Sequence, residues 1–148
     1  MPLYFAYGSN MDAAAMTGRC PRSRLLGRGR LAGFRTILME SGFVSVTPAP
    51  RMSVHGVLWD VAAGDVAALD RYEDVARGLY VKKFFPILRA PAGSVRALTY
   101  VGARPNLGAA WRGYFEGVIA AARAQALPDD YVAYLSSLLS PQPPGRRP

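Results

Sequence analysis

The sequence contains one cysteine, Cys20, and one histidine, His55, among 148 residues. A single cysteine cannot form an intramolecular disulfide, so we expect a reducing compartment, the cytoplasm. Zinc sites take three or four Cys, His or carboxylate ligands, so this composition argues against a metal centre. Because His55 is the only histidine that could serve Cys20 as a base, we interpret the cysteine as structural.

Long apolar runs are also missing. No stretch approaches the ~20 apolar residues of a membrane span, and residues 1–7 lack a basic segment followed by a long apolar one. We therefore expect a soluble cytoplasmic protein with no membrane partner.

Acidic residues are scarce, with 10 Asp and Glu against 18 Lys and Arg, a net charge of +8 and a pI of about 10.1. Such an excess raises the possibility of a polyanionic partner. The basic residues are dispersed, however, as in Arg19, Arg22, Arg24, Arg28 and Arg30. We favour a solvated basic surface over attraction of an acidic substrate or polyanion, and a nucleic-acid partner is not expected.

Hydrophobic residues make up 51% of the chain, enough to bury one core. We expect a single domain over residues 1–139, followed by a disordered tail over residues 140–148, where proline and glycine are frequent. Strand-like patterns cover residues 3–7, 25–39, 43–47, 54–61, 79–88 and 95–101. Helical patterns cover residues 11–17, 62–74, 109–124 and a last segment beginning at Pro128.

Nucleotide-binding and serine-hydrolase motifs are not present. Gly27, Gly29 and Gly33 miss the GxGxxG spacing by one residue, and no GxxxxGK[ST] occurs. These glycines are better explained by strand crowding or a bulge. A Ser9 and His55 pair would be the only hydrolase candidate, and no GxSxG turn supports it.

The turn formed by Tyr7, Gly8, Ser9 and Asn10 is more informative. A glycine turn that leaves a strand and enters a helix points several backbone N–H groups at one spot, which can hold an anion or oxyanion. The alternative is an ordinary strand-to-helix turn in which Ser9 or Asn10 caps the helix. The local sequence leaves both interpretations open.

Glu73 is the second candidate, because it shares the apolar face of the predicted helix 62–74 with Val66 and Leu69. Burial disfavours the ionised carboxylate and raises its pKa, which suits an acid or base that works near neutral pH. In the alternative, the helix ends before Glu73, and the carboxylate reaches water or pairs with Arg71 or Arg77.

Taken in order, these residues resemble the γ-glutamylcyclotransferase-like family, also called AIG2-like, over nearly the whole chain. FAYGSNM at residues 5–11 is similar to the family's YGSN loop, and VHGVLW at residues 54–59 is similar to its G-V-[LV]-[WY] strand. LDRYE at residues 69–73 resembles the helix that carries the family's catalytic glutamate. Further matching segments are RCP at residues 19–21, GRLAGF at 29–34, the strand starting GLYV at 78–81 and LPDDY at 127–131. Asp74 stands where many members have glycine.

The resemblance implies an α+β fold, a small, mainly antiparallel β-barrel flanked by helices. It also implies an enzyme that forms 5-oxoproline from a small γ-glutamyl amide by intramolecular attack of the α-amine, without metal or organic cofactor. Glu73 would be the acid and base, and backbone N–H groups of residues 7–10 would hold the γ-glutamyl group. Tyr100 would line the cavity and donate a hydrogen bond there, the alternative being a tyrosine of the core. The alternative is a non-catalytic AIG2-like binding or interaction module. We expect the leaving-group pocket, which would select an amino acid, amine, peptide or other metabolite, in loops 41–43 and 103–107.

Overall fold

Five strands form a closed barrel in the computed structural model, which describes residues 2–103, 107–108 and 113–139. The strands are β1 (Leu3–Ala6), β2 (Arg24–Leu38), β3 (Val44–Asp60), β4 (Tyr80–Arg89) and β5 (Ser94–Gly102). The helices of the described residues are α1 (Ala13–Arg19), α2 (Val66–Tyr72), α3 (Tyr114–Ala124) and α4 (Asp129–Ser137), with 3-10 turns at Ser9–Met11, Ala63–Asp65 and Val75–Arg77. The predicted α+β barrel flanked by helices is confirmed.

The strand order around the barrel is β1-β3-β2-β4-β5. All neighbouring strands pair antiparallel except β1 and β5, which close the barrel with a parallel pairing at Tyr4 and Leu98. The barrel is therefore mainly antiparallel, as predicted. One cluster of buried side chains joins the barrel to α3 and α4, and it includes Phe5, Phe115 and Leu135.

The long β2–β3 pair contains two register shifts. One lies between Leu25 and Gly27, and the other, which includes Gly33, lies between Ala32 and Phe34. Gly27 and Gly33 have φ of 134° and 83°, a region that favours glycine. These two glycines therefore belong to bulges, in agreement with the sequence interpretation.

The prediction of two separate strands at residues 43–47 and 54–61 is wrong, because β3 runs through Pro48 and Pro50 without ending. The pairing of β3 with β2 runs to Pro48 and resumes at Ser53, while β1 joins β3 only at residues 57–60. A proline is tolerated where its missing N–H faces an unpaired edge. Arg51, with φ of 70°, absorbs the local bend.

The helices also differ in their bounds from the predictions. The predicted helix 62–74 is a 3-10 turn followed by the shorter α2, and the predicted helix 11–17 begins at Ala13. Asp12, not Ser9 or Asn10, caps α1, since its carboxylate accepts from the Ala15 N–H at 3.3 Å. Residues 109–112 of the predicted aromatic helix and the predicted tail 140–148 lie outside the described residues. Within the described part of the chain, no helix has the length and apolar character to cross a membrane.

Gly56 allows β3 to approach β1 closely. A Cβ at this position would lie 2.3 Å from the Ala6 carbonyl oxygen and 3.0 Å from the Phe5 ring. The nearest atom belongs to the backbone and cannot move away without shifting β1.

We predict that Gly56→Ala lowers the free energy of unfolding by about 1–3 kcal/mol or more, as expected for overpacking against a fixed backbone. Gly117→Ala is the matched control, since a Cβ at this exposed position in α3 meets nothing within 4 Å. The control should stabilise the protein by up to about 1 kcal/mol. Urea denaturation measures both, and equal midpoints for Gly56→Ala and the wild type would contradict the close-packing argument.

Candidate active site

A cavity of about 100 Å³ lies where β1 runs into the turn at residues 7–10. Six tyrosines contribute to its wall: Tyr4, Tyr7, Tyr72, Tyr80, Tyr100 and Tyr114. The backbone turn at Gly8, Ser9 and Asn10 and the Glu73 carboxylate complete the polar part of the wall. The structure thus places at one cavity the residues that the family resemblance implies for the site: Tyr7, Gly8, Ser9, Asn10, Glu73 and Tyr100.

Most of the tyrosine hydroxyls are already hydrogen-bonded within the protein. Tyr7 donates to the Tyr100 carbonyl at 2.5 Å, and Tyr80 donates to the Val44 carbonyl. The Tyr4 hydroxyl accepts from the Asn10 side-chain amide at 3.1 Å. These bonds hold the aromatic side chains of the wall in place.

Tyr100 forms part of the wall but does not offer its proton to the cavity. Its hydroxyl donates to Asp70 Oδ1 at 2.7 Å, and Asp70 Oδ2 is paired with Lys82 at 3.0 Å. Burial is the main reason that the pKa of Tyr100 lies well above its usual value, and Asp70 adds to the effect. The sequence analysis expected this hydroxyl to donate into the cavity, so the structure corrects that expectation: Tyr100 contributes its ring.

Glu73 follows the last residue of α2, and its N–H donates to the Leu69 carbonyl at 2.9 Å. The helix ends before Glu73, as one interpretation held, yet the side chain is partly buried in the cavity wall. Arg77 pairs with Asp74 at 3.2 Å, and within the described residues no ion pair or side-chain hydrogen bond engages the Glu73 carboxylate. Burial raises the pKa of Glu73 to about 7, and the opposing charge of Arg19 limits the rise.

Arg19 organises the rim of the cavity. Its guanidinium donates to Asn10 Oδ1 and lies 3.6 Å from the centre of the Tyr72 ring. Tyr72 in turn shares a hydrogen bond of 2.5 Å with Ser9 Oγ. One cation therefore connects α1, the 7–10 turn and the end of α2, and the turn is positioned by side chains from both helices.

Neither Arg19 nor Tyr72 was assigned to the site from the sequence. Both lie in segments that carry the family resemblance, RCP at residues 19–21 and LDRYE at residues 69–73. Their position in those segments was the signal by which the sequence could have assigned them to the site.

The turn begins a 3-10 helical segment at the cavity wall. The carbonyls of Gly8 and Ser9 accept from the N–H groups of Met11 and Asp12 at 3.0 and 3.1 Å. The N–H groups at the start of a helical turn have no partner within it, and those of Ser9 and Asn10 occupy this position. Gly8 is required here, because a Cβ would lie 2.9 Å from Val44 Cγ2.

The other sequence candidates are placed elsewhere. His55 lines a different cavity from Ser9, so the two do not form a hydrolase pair. Cys20 is buried, its thiol approaches the Asp65 carbonyl at 3.7 Å, and burial raises its pKa. Among the described residues, no group of three or more His, Cys, Asp or Glu side chains could hold a metal ion.

The loops expected to form the leaving-group pocket are described in part. Phe43 lines the cavity, and its ring meets that of Tyr114 edge-on at 5.0 Å between centroids. Of the loop 103–107, residues 104–106 lie outside the described residues.

Comparisons with known proteins give a consistent result. The model of the AIG2-like family matches residues 53–135. Two curated relatives, both named gamma-glutamylcyclotransferase, are 29% identical in Bos taurus and 30% identical in Homo sapiens over 89 residues, which cover 53% of this chain and 47% of each relative. The chain thus spans about half the length of the curated relatives that it matches.

A solved structure titled gamma-glutamyl cyclotransferase superposes with a TM-score of 0.88 at 21% identity, covering 98% of this chain and 92% of the other. An uncharacterized human protein superposes with a TM-score of 0.86 at 22% identity, covering 97% and 91%.

The raised pKa of Glu73 predicts a pH-dependent cost to stability. Between its ordinary pKa of 4.5 and the folded value of about 7, the folded state binds more protons than the unfolded state, so stability falls as pH rises through this range. Glu73→Gln removes the titrating group. We predict that it raises the free energy of unfolding by up to about 3 kcal/mol at about pH 8 and leaves it nearly unchanged at about pH 4.

Denaturant unfolding at both pH values measures this difference. Asp74→Asn is the control, because it removes a neighbouring carboxylate that pairs with Arg77 and does not line the cavity. A Glu73→Gln variant that is less stable than the wild type at about pH 8 would contradict the buried-carboxylate assignment.

Proposed function

The chain belongs to the AIG2-like family, and from this premise we propose that it is a γ-glutamylcyclotransferase-type enzyme that releases 5-oxoproline from a γ-glutamyl amide. The observation that carries the proposal is the position of Glu73, a carboxylate with a pKa of about 7 that faces the same cavity as the 7–10 turn. The curated relatives named gamma-glutamylcyclotransferase support the same reaction class.

Substrate binding would use the two polar sides of the cavity. The N–H groups of Ser9 and Asn10 bind the γ-carbonyl oxygen of the substrate, and the tyrosine wall contacts its methylene groups. The α-ammonium group lies toward Glu73, whose carboxylate has no competing side-chain partner in the described part of the chain. In this arrangement the α-amine and the γ-carbonyl of the same γ-glutamyl group would lie close together.

The reaction then needs only proton transfers and one acyl transfer. Glu73 takes a proton from the α-ammonium, and the freed nitrogen attacks the γ-carbonyl carbon to close a five-membered ring. The negative charge that develops on the carbonyl oxygen is stabilised by the N–H groups of the turn. Glu73 passes its proton to the leaving nitrogen, and the amide bond breaks. The ring nitrogen, which still carries two hydrogens, gives one of them to Glu73, and this proton leaves with the product amine as 5-oxoproline is released.

A base with a pKa near 7 is suited to this cycle. It is substantially ionised at neutral pH and can accept the ammonium proton, while its conjugate acid is strong enough to protonate the leaving amine. A fully solvated glutamate would remain ionised and would be a weaker proton acceptor. Desolvation of Glu73 therefore serves both halves of the reaction.

We predict that the wild type releases 5-oxoproline from at least one member of a panel of γ-glutamyl amino acids, γ-glutamyl amines and glutathione-like peptides. Glu73→Gln keeps the shape of the side chain and removes the base, so kcat should fall by about 100-fold or more. Asp74→Asn is the matched control and should keep activity within about 2-fold, because Asp74 does not line the cavity.

Chromatographic detection of 5-oxoproline measures this reaction, and circular dichroism verifies that the variants fold. Equal rates for Glu73→Gln and the wild type would overturn the mechanism. A wild type that binds γ-glutamyl compounds but turns none over would favour the non-catalytic binding module.

We also predict the effect of Arg19 on the pH profile. The active form of Glu73 is the ionised one, so kcat/KM should rise with pH through the pKa of about 7. Arg19→Gln removes the charge that lowers this pKa, so the rising limb should move to higher pH.

Arg19→Lys separates charge from position. Lysine retains the positive charge but not the planar group that stacks on Tyr72. The rise of kcat/KM with pH should therefore stay near its wild-type pH, even if the value of kcat/KM falls. A limb that stays fixed in Arg19→Gln would show that Arg19 does not act on the catalytic carboxylate.

A further inference from the structure

A second concavity, of about 440 Å³, is lined by three arginines and the only histidine of the chain. Arg28 and Arg30 come from β2, His55 from β3 and Arg89 from the end of β4. The turn between β4 and β5 and Pro128 at the start of α4 close its sides. We call this concavity the basic pocket.

The basic pocket is separate from the Glu73 cavity. The two share no lining residue in the described part of the chain. They lie at opposite ends of β4, since Tyr80 lines the first and Leu88 lines the second. At about 3.3 Å per residue, the strand separates them by roughly 25 Å.

The guanidinium groups of the basic pocket are held without acidic partners. Arg28 donates to the Ala126 carbonyl at 2.8 Å, and Arg30 donates to Ser53 Oγ at 3.0 Å. Among the described residues, no ion pair engages these two groups or Arg89, whereas four basic side chains outside the pocket are paired with a carboxylate: Arg22, Arg24, Arg77 and Lys82. Like charges gathered in a concavity attract an anion.

His55 adds an uncharged donor to this cluster. Burial and the nearby charge of Arg30 lower its pKa, and Asp130 opposes the shift. The ring is held against Tyr131 at 4.9 Å between centroids. A neutral imidazole presents one N–H donor, which complements the oxygen atoms of an anion.

We propose that the basic pocket binds a small organic phosphate. Guanidinium groups match the oxygen atoms of a phosphate with paired N–H donors, and the hydrogen bonds to a doubly charged group are stronger than those to a neutral one. The volume falls in the range of small-molecule sites, about 300–1,000 Å³. The apolar side chains of Leu88, Pro91 and Pro128 line the same concavity and face the organic part of the ligand.

Nuclear magnetic resonance of the histidine ring tests the proposal on the full chain, because His55 is the only histidine and its signals need no assignment by mutation. Glucose 6-phosphate is the probe, and glucose is its matched control without the phosphate. The phosphate ester should shift the His55 signals in a saturable manner and raise the pKa of His55, whereas glucose should not.

Substitutions then locate the binding energy. Arg30→Gln and Arg89→Gln should each raise the dissociation constant for the ester by about tenfold or more, as expected for loss of a charge-assisted hydrogen bond. Arg96→Gln removes the same charge from an exposed position on β5, outside the basic pocket, and should change it by less than about 2-fold. Two independent variants keep the test valid if one of them fails to fold.

Several results would overturn the proposal. These are unchanged His55 signals at millimolar ester, equal binding of glucose, or equal weakening by Arg30→Gln, Arg89→Gln and Arg96→Gln. Inorganic phosphate that binds as tightly as the ester would assign the pocket to the free anion. Binding of a single-stranded oligonucleotide with steep salt dependence, without binding of the ester, would assign the surface to nucleic acid.

Discussion

The barrel is closed by β1, a strand of four residues that pairs with β3 at each of them and with β5 at one parallel position. Closure covers the strand edge of β3 at residues 57–60 and that of β5 at Leu98. It also requires that the β3 backbone come close to that of β1, which is possible because position 56 is glycine. The 7–10 turn leaves directly from the end of β1, so barrel closure and placement of the turn depend on the same set of contacts.

The electrostatic character of the cavity follows from how its polar groups are satisfied. The hydroxyls of Tyr7, Tyr80 and Tyr100 donate to acceptors in the surrounding protein, so they contribute bulk and exclude water without supplying a proton to Glu73. Desolvation without a direct partner is the condition under which a carboxylate pKa rises. Arg19 acts from the rim through its charge, which moderates the rise without neutralising it.

Local sequence patterns predicted most strands, because alternating and apolar runs bounded by glycine and proline report local structure, whereas the barrel fold class was implied by the family resemblance. The prediction from local patterns failed where the pairing of neighbouring strands determines the strand bounds. Proline is expected to end a strand, but Pro48 lies where β1 does not pair with β3, and β3 continues through it. The end of α2 shows the same limit. Asp74 adopts φ of 56° and ψ of 43°, a left-handed conformation that the helical pattern of residues 62–74 did not predict. The rim contacts of Arg19 with Tyr72 join segments far apart in sequence, and no local pattern reveals them.

Two supports of the tyrosine wall are main-chain oxygen atoms, those of Tyr100 and Val44. Every residue type supplies such an atom, so a replacement at position 44 that packs equally well would retain the acceptor, whereas Tyr7 and Tyr80 each supply a hydroxyl that few side chains can replace. During evolution, the residue that supplies the main-chain oxygen of each contact can therefore vary, whereas the tyrosine that supplies the hydroxyl cannot. Substitutions at position 44 would therefore occur without matching substitutions at position 80. Related sequences would show no covariation between the two positions, although the two residues are in direct contact.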